Sequence, residues 1–202
     1  MKIDFDDLGR HECHDLLMSM IAPRPIAWVS TVGKDGIFNL APFSAFGTIC
    51  VKPPILYISI GSPPGEKKDT LIYIEYTGDF VVNAVDESLA EKMNQTSAGY
   101  PASVSEFTEA GLTPLPSDKV RSPRVAESPI SMECKLERIL EFNDPQNVNR
   151  MVIGEIVRAH LRDDILTDGL VDAVKLKAIA RLGGDFYCRT GDLFEMRRPT
   201  SP

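Results

Sequence analysis

The chain has 202 residues, of which 43% are hydrophobic and 25% charged, and its formal net charge is −7. That fits one domain spanning 1–202, with its core over about 20–199. Acidity without a run of Lys or Arg reads against nucleic acid and anionic membranes, and no apolar stretch is long enough to span a bilayer. The acidic start MKIDFDDLGRHECHD reads against a signal peptide. Four scattered cysteines without a C-x-x-C pair suit reduced thiols, so a cytoplasmic location is expected.

Met1 to Met20 reads as a polar leading segment with a weak helical or extended apolar face. Within it His11-Glu12-Cys13-His14 has zinc-ligand types, but the spacing matches no zinc module and no second pair follows. No metal site is expected. Pro23 and Pro25 forbid a continuing helix, and Arg24 between them is either a surface charge or, near a barrel mouth, a partner for phosphate. Ile26 to Thr31 reads as a buried strand, Gly33-Lys34-Asp35-Gly36 as a turn, and Ile37 to Leu40 as the returning strand that Pro42 stops. Asn39, Ala41, Pro42 and Ser44 put small and polar groups at the strand end. Such residues let a flat ligand approach the backbone, with Trp28, Phe43 and Phe46 as apolar walls. The same pattern also suits a plain hairpin on a barrel rim.

Lys52-Pro53-Pro54 is a rigid connector, and Ile55 to Ile60 is the next strand. An irregular loop leads to Lys67-Lys68-Asp69-Thr70, then to a short helix, Leu71 to Tyr76, ended by Gly78. A loop that opens a helix offers free backbone N–H groups, Lys68 adds charge and Thr70 a hydroxyl. Together they make a phosphate cradle, in which Asp69 caps the helix or orients Lys68. An ordinary capped helix with solvated lysines is the alternative.

Asp79 to Val85 is a strand, and Ser88 with Glu91 form a capping box for a helix to about Ser97. Gly99 to Arg124 is long for a bare loop and carries a helical patch at Glu106 to Ala110. Ser131 to Phe142 and Met151 to Leu161 form an antiparallel pair. His160, at the end of the second strand, is either a proton-transfer group or an ordinary polar residue. Asp172 to Ile179 reads as a helix that Arg181-Leu182-Gly183-Gly184 breaks. The two glycines permit close approach, and Tyr187 can stack or hydrogen-bond. Six or more strands with few helices imply a small antiparallel barrel.

RPIAWVST, the Gly-bracketed turn and NLAPFSAF resemble the opening of the flavin reductase-like family. KDT, SEFTEAGLTP and RLGG continue the resemblance over nearly the whole chain. It implies a mainly β fold with peripheral helices, an FMN-binding split β-barrel. It also implies FMN as cofactor, NADH or NADPH as electron donor, and a homodimer. Ser30, Thr31, Asn39, Ala41, Pro42 and Ser44 would contact the ring and ribityl chain. Lys68, Asp69 and Thr70 would lie by the phosphate, and Arg181, Gly183 and Tyr187 by the flavin. The activity implied is NAD(P)H-dependent reduction of flavin, supplied to a flavin-dependent monooxygenase or other redox partner. The alternatives are a flavoredoxin-like electron carrier and a non-enzymatic flavin- or haem-binding protein. No G-x-G-x-x-G is present, so nicotinamide binding would rest on stacking.

Overall fold

The computed structural model describes residues 1–199. In chain order, a 3-10 turn (Phe5–Asp7) and α1 (Arg10–Met20) lead into β1 (Ala27–Val32), β2 (Phe38–Phe43), β3 (Phe46–Cys50) and β4 (Ile55–Ser62). Then come α2 (Asp69–Thr77), β5 (Asp79–Asn83), α3 (Ala90–Gln95), α4 (Glu106–Glu109), β6 (Pro114–Leu115) and β7 (Arg124–Val125). The long pair β8 (Ile130–Asp144) and β9 (Asn147–Leu161) follows. The chain closes with β10 (Leu166–Thr167), β11 (Leu170–Val171), α5 (Ala173–Leu176), β12 (Ile179–Arg181) and β13 (Tyr187–Arg189).

Seven strands form one sheet in the order β2-β1-β5-β8-β9-β4-β3, with every neighbouring pair antiparallel. β2 and β3 lie at opposite edges, yet only Ser44 and Ala45 separate them in sequence. A two-residue link reaches across only if the sheet curls into a barrel. The Ser59 N–H donates to the Ala45 carbonyl at 2.8 Å and seals that corner.

Alternation along β1 divides its apolar side chains between two cores. Ala27 and Val29 pack inside the barrel with Phe43, Ile58, Phe80 and Val152. Trp28 packs outside with Leu40, Met93, Phe107 and Val125, and its indole N–H donates to Thr96 Oγ1 at 2.8 Å. Burial on both faces explains why β1 shows no alternation of exposed polar and buried apolar residues.

Pro42 does not stop β2; it lies within the strand, opposite Trp28. Phe38, Leu40 and Pro42 point their backbone groups away from β1, so the N–H that proline lacks falls on the free edge. Asp69 does not cap α2, where Lys68 holds the N-cap position without a side-chain bond. Asp86 rather than Ser88 caps the turn before α3: it accepts from the Leu89 N–H at 3.2 Å and from the Ser88 hydroxyl at 2.6 Å. The helix expected over Asp172 to Ile179 shrinks to α5, because residues 179–181 pair with β13 and Arg24 bridges to Arg181.

The loop between α3 and β8 is stapled to the barrel by buried acceptors. Asp79 accepts from Arg121 N at 3.0 Å, Ser122 N at 3.1 Å and Ser122 Oγ at 2.7 Å. Asn83 Oδ1 accepts from Val125 N at 3.0 Å. Glu133, fully buried, accepts from Asp118 N at 2.9 Å, Lys119 N at 2.6 Å and His160 Nε2 at 2.5 Å. Burial alone would raise the Glu133 pKa, but the two N–H groups and His160 together hold it below the usual carboxylate range. Its stabilising effect is therefore fully present above about pH 4.3, the unfolded value, and is lost as pH falls through the lower folded value. Glu133→Gln places an amide donor against these N–H groups and should destabilise the protein by about 1–3 kcal/mol at pH 7. Urea unfolding should show that gap narrowing steadily below pH 4.

Candidate functional site

A groove runs along the free edge of β2 and divides into two compartments that meet at Pro42, Phe43, Lys68 and Ser97. The first, of about 390 Å³, lies between the end of β2, the start of α2, the loop after α3, and α4. The second, of about 480 Å³, lies between Ser44, α1 and the β12–β13 pair.

In the first compartment Asn39 is held by two hydroxyls. Its Nδ2 donates to Thr70 Oγ1 at 2.9 Å and Thr31 Oγ1 at 3.3 Å. Both amide hydrogens are then used, and Oδ1 is left without a partner among the described residues, at a position that lines the cavity. Lys68 forms no ion pair among the described residues, and its ammonium lies 5.8 Å from the centre of the Phe43 ring. The first backbone N–H groups of α2 have no intrahelical acceptor and lie beside it. Glu106, at the start of α4, is 8% exposed; its Oε2 accepts from Leu40 N at 2.9 Å. Burial raises the pKa of both Asp69 and Glu106; at Glu106 the N–H groups of Leu40 and of Glu106 itself oppose the rise, and the Asp69 charge adds to it.

In the second compartment Arg24 is buried and clamps three segments. Its guanidinium donates to the carbonyls of Met18, Ile21 (2.7 Å) and Leu182 (2.9 Å), and to Ser44 Oγ at 3.5 Å. Burial and the neighbouring Arg181 both lower its pKa. Arg24 is thus neither a surface charge nor an uncommitted cation. It ties the end of α1 and the 182–184 turn to the barrel. Arg181 stacks on Tyr187, 4.6 Å from the ring centre, and donates to its hydroxyl, which in turn donates to Asn94 Oδ1 at 3.4 Å.

The groove therefore gathers Asn39, Ala41, Pro42, Ser44, Lys68, Asp69, Thr70, Arg181 and Tyr187. Ser30 and Thr31 do not line it. Both are fully buried, with Ser30 donating to Pro123 O and accepting from Asn83, and Thr31 bonded to Asn39. Gly183 is tight for another reason: a Cβ there would meet Ser19 Cα and Cβ of α1 at 3.2 Å. Trp28 is sealed in the outer core and Phe46 packs on the inner one, so of the expected apolar walls Phe43 alone reaches the groove. His160 belongs to the Glu133 staple and lines neither compartment. Two contributors escape sequence reasoning. Glu106 reads only as part of a helical patch, and α1 brings His14, Asp15 and Met18 to the groove without a motif.

Residues 18–175 match the flavin reductase like domain family. BH2278 of Halalkalibacterium halodurans is 39% identical over 99% of this chain and 97% of its own length. Nitrilotriacetate monooxygenase component B from Bacillus cereus superposes with a TM-score of 0.93 at 35% identity, covering 97% of this chain and 98% of that one. The 2-nitrobenzoate 2-nitroreductase NbaA of Pseudomonas fluorescens gives 0.90 at 34%, over 99% and 97%. The closed antiparallel sheet, the groove along its open edge and these matches agree: this chain belongs to the flavin reductase-like domain family and has its mainly β, split-barrel fold.

Proposed function

We propose that this chain binds FMN in the β2 groove and reduces it with NADH or NADPH, passing the reduced flavin to a partner monooxygenase. The observation that carries this reading is the set of uncommitted groups in one groove: the Lys68 ammonium, the Asn39 Oδ1 and the first N–H groups of α2. A cation beside helix N–H groups suits a phosphate, and a fixed amide oxygen suits a polar ring or chain hydrogen.

When bound, FMN supplies the hydride-accepting ring. The protein's part is positioning. Lys68, the α2 amides and Thr70 hold the phosphate. Asn39 fixes the ligand's edge, and Thr31 acts from beneath by setting the Asn39 amide. Ala41 and Pro42 allow close approach to the backbone, and Ser44 adds a hydroxyl at the bend. Arg181 and Tyr187 form the far wall, while Gly183 lets their turn pack against α1. A further cavity of about 570 Å³ shares Met93 and Tyr187 with the groove and leaves room for a nicotinamide donor. In this reading the protein works in the cytoplasm as a homodimer. α1 supports a second copy, because none of its residues is buried and Leu17, Met20 and the adjoining Ile21 are exposed. The likeness to a protein described as a monooxygenase component supports the partner.

The reaction is tested by adding NADH, then NADPH, to the FMN-loaded protein without oxygen. Loss of the visible flavin band within seconds is expected. A band that persists with both donors makes the protein an electron carrier or a flavin store instead. Lys68→Glu should weaken FMN on the order of a hundredfold while changing riboflavin little, since only FMN carries the phosphate. Equal weakening of both removes Lys68 from the phosphate site. Asn39→Leu should weaken both flavins at least about tenfold, the loss of one good hydrogen bond. Fluorescence titration of each flavin reads both effects.

A further inference from the structure

The first compartment holds a carboxyl group with no function in the scheme above. Glu106 is nine-tenths buried, and one of its oxygens is fixed by the Leu40 N–H at 2.9 Å. The other, Oε1, has no donor from another residue among the described ones and is not sealed away, on a residue that lines the cavity; only the backbone N–H of Glu106 itself adds to the Leu40 N–H in favouring the charged form. No ion pair to it forms among the described residues. Lys67 is spent on Glu75 at 2.7 Å, and the same compartment contains a second carboxyl, Asp69.

An anion entering this compartment meets Lys68 and the α2 amides, but also two carboxyl groups. A phosphate beside two ionised carboxylates is repelled at short range in a poorly hydrated site. The repulsion vanishes where a carboxyl takes up a proton, and the protonated group becomes a donor. Glu106 is placed for this. Leu40 holds its Oε2, which leaves Oε1 to carry the hydrogen into the cavity.

We propose that the groove takes its phosphate-bearing ligand together with one proton from solvent, held on Glu106, which then donates a hydrogen bond from Oε1 to the phosphate. The balance is simple. The carboxylate and a solvated proton become a carboxylic acid, and no bond of the ligand breaks. Glu106 is then a specificity-determining residue, rewarding a phosphate and tying ligand affinity to pH. The proposal rests on the flavin reading of the groove. The charged and titratable groups that share the compartment with Glu106 are Lys67, Lys68 and Asp69 of the α2 region and Tyr100 of the loop after α3; Tyr73 of α2 feels the Glu106 charge, together with those of Asp69 and of Asp35 in the β1–β2 turn. Burial raises the pKa of Glu106 as well as of Asp69 and Tyr73, which agrees with a proton being easily held here.

The sign follows from linkage. A complex that binds more protons than its free parts weakens as pH rises, by up to about tenfold per unit for one proton. Calorimetric titration of the purified protein with FMN, at pH 7 in buffers of different ionisation enthalpy, should show uptake approaching about one proton per FMN. Riboflavin should take up much less. Glu106→Gln keeps an oxygen for the Leu40 N–H, and should bind FMN with little proton uptake and a flatter pH profile. Asp69→Asn should keep the uptake. FMN binding without uptake in the unaltered protein overturns the proposal. So does uptake that persists in Glu106→Gln, which puts the proton on the phosphate itself, and so does equal uptake with riboflavin. An unaltered protein that binds neither flavin overturns the flavin reading of the groove. Near-ultraviolet circular dichroism checks that each variant is folded.

Discussion

The two-residue step from β2 to β3 constrains the rest of the structure. Phe43 ends one edge strand and Phe46 begins the other, so the seven-stranded sheet has to close on itself. Closure creates an interior, and β1, β4, β5, β8 and β9 fill it with Val29, Ile58, Phe80, Cys134 and Val152. It is incomplete along β2, whose outward edge pairs with no strand. The groove occupies that gap, and its residues come from what lies beside it: the bend at Ser44, the start of α2, and the Arg24 clamp that fixes α1 and the 182–184 turn.

Polar groups buried on the barrel hold the long loop after α3 in place. Asp79, Asn83 and Glu133 sit on adjacent strands and accept loop N–H groups, while Ser30 donates to a loop carbonyl. A buried polar group is tolerated when each of its sites is matched, and the matching fixes one loop path among many. Glu106 rides on this loop. The compartment that contains it is therefore shaped by hydrogen bonds made on the barrel's far strands, and a weakened Glu133 staple would disturb a carboxyl it does not touch.

The β1 hairpin was legible because Gly33, Asp-Gly and a short apolar run of β-formers each encode it locally. β8 and β9 were legible in type, but β9 appeared short at its start, because the polar residues Asn147, Asn149 and Arg150 look like loop and yet pair with β8. Residues 172–179 misled for the opposite reason. DAVKLKAI has strong helix propensity after its Asp cap, but pairing with β13, Asp86 and Arg24 overrides it after Leu176. The groove was legible where small or polar residues cluster along the end of β2 and the bend after it, at Asn39, Ala41, Pro42 and Ser44. Ser30 and Thr31 misled because β1 is buried on both faces, and a strand buried twice gives no sign of which polar residue meets a cavity. Glu106 was hidden because one acidic residue opening a short helix looks like any other.

The free edge of β2 ties these observations together. An unpaired strand edge exposes alternate N–H and C=O groups and invites wrong pairing unless it is covered. α4 covers the first part. The Ser105 hydroxyl donates to the Phe38 carbonyl at 2.7 Å, and Glu106 accepts from the Leu40 N–H. Pro42 removes the next outward donor altogether. What remains along the edge is acceptors, the carbonyls of Leu40 and Pro42, which have no hydrogen-bond donor among the described residues. A strand seeking to pair here would find no N–H to bond, whereas a flat ligand carrying N–H groups would find oxygens already aligned. The proline that looked like a stop signal thus lies inside the strand, where it removes a donor from the edge and closes it to another strand.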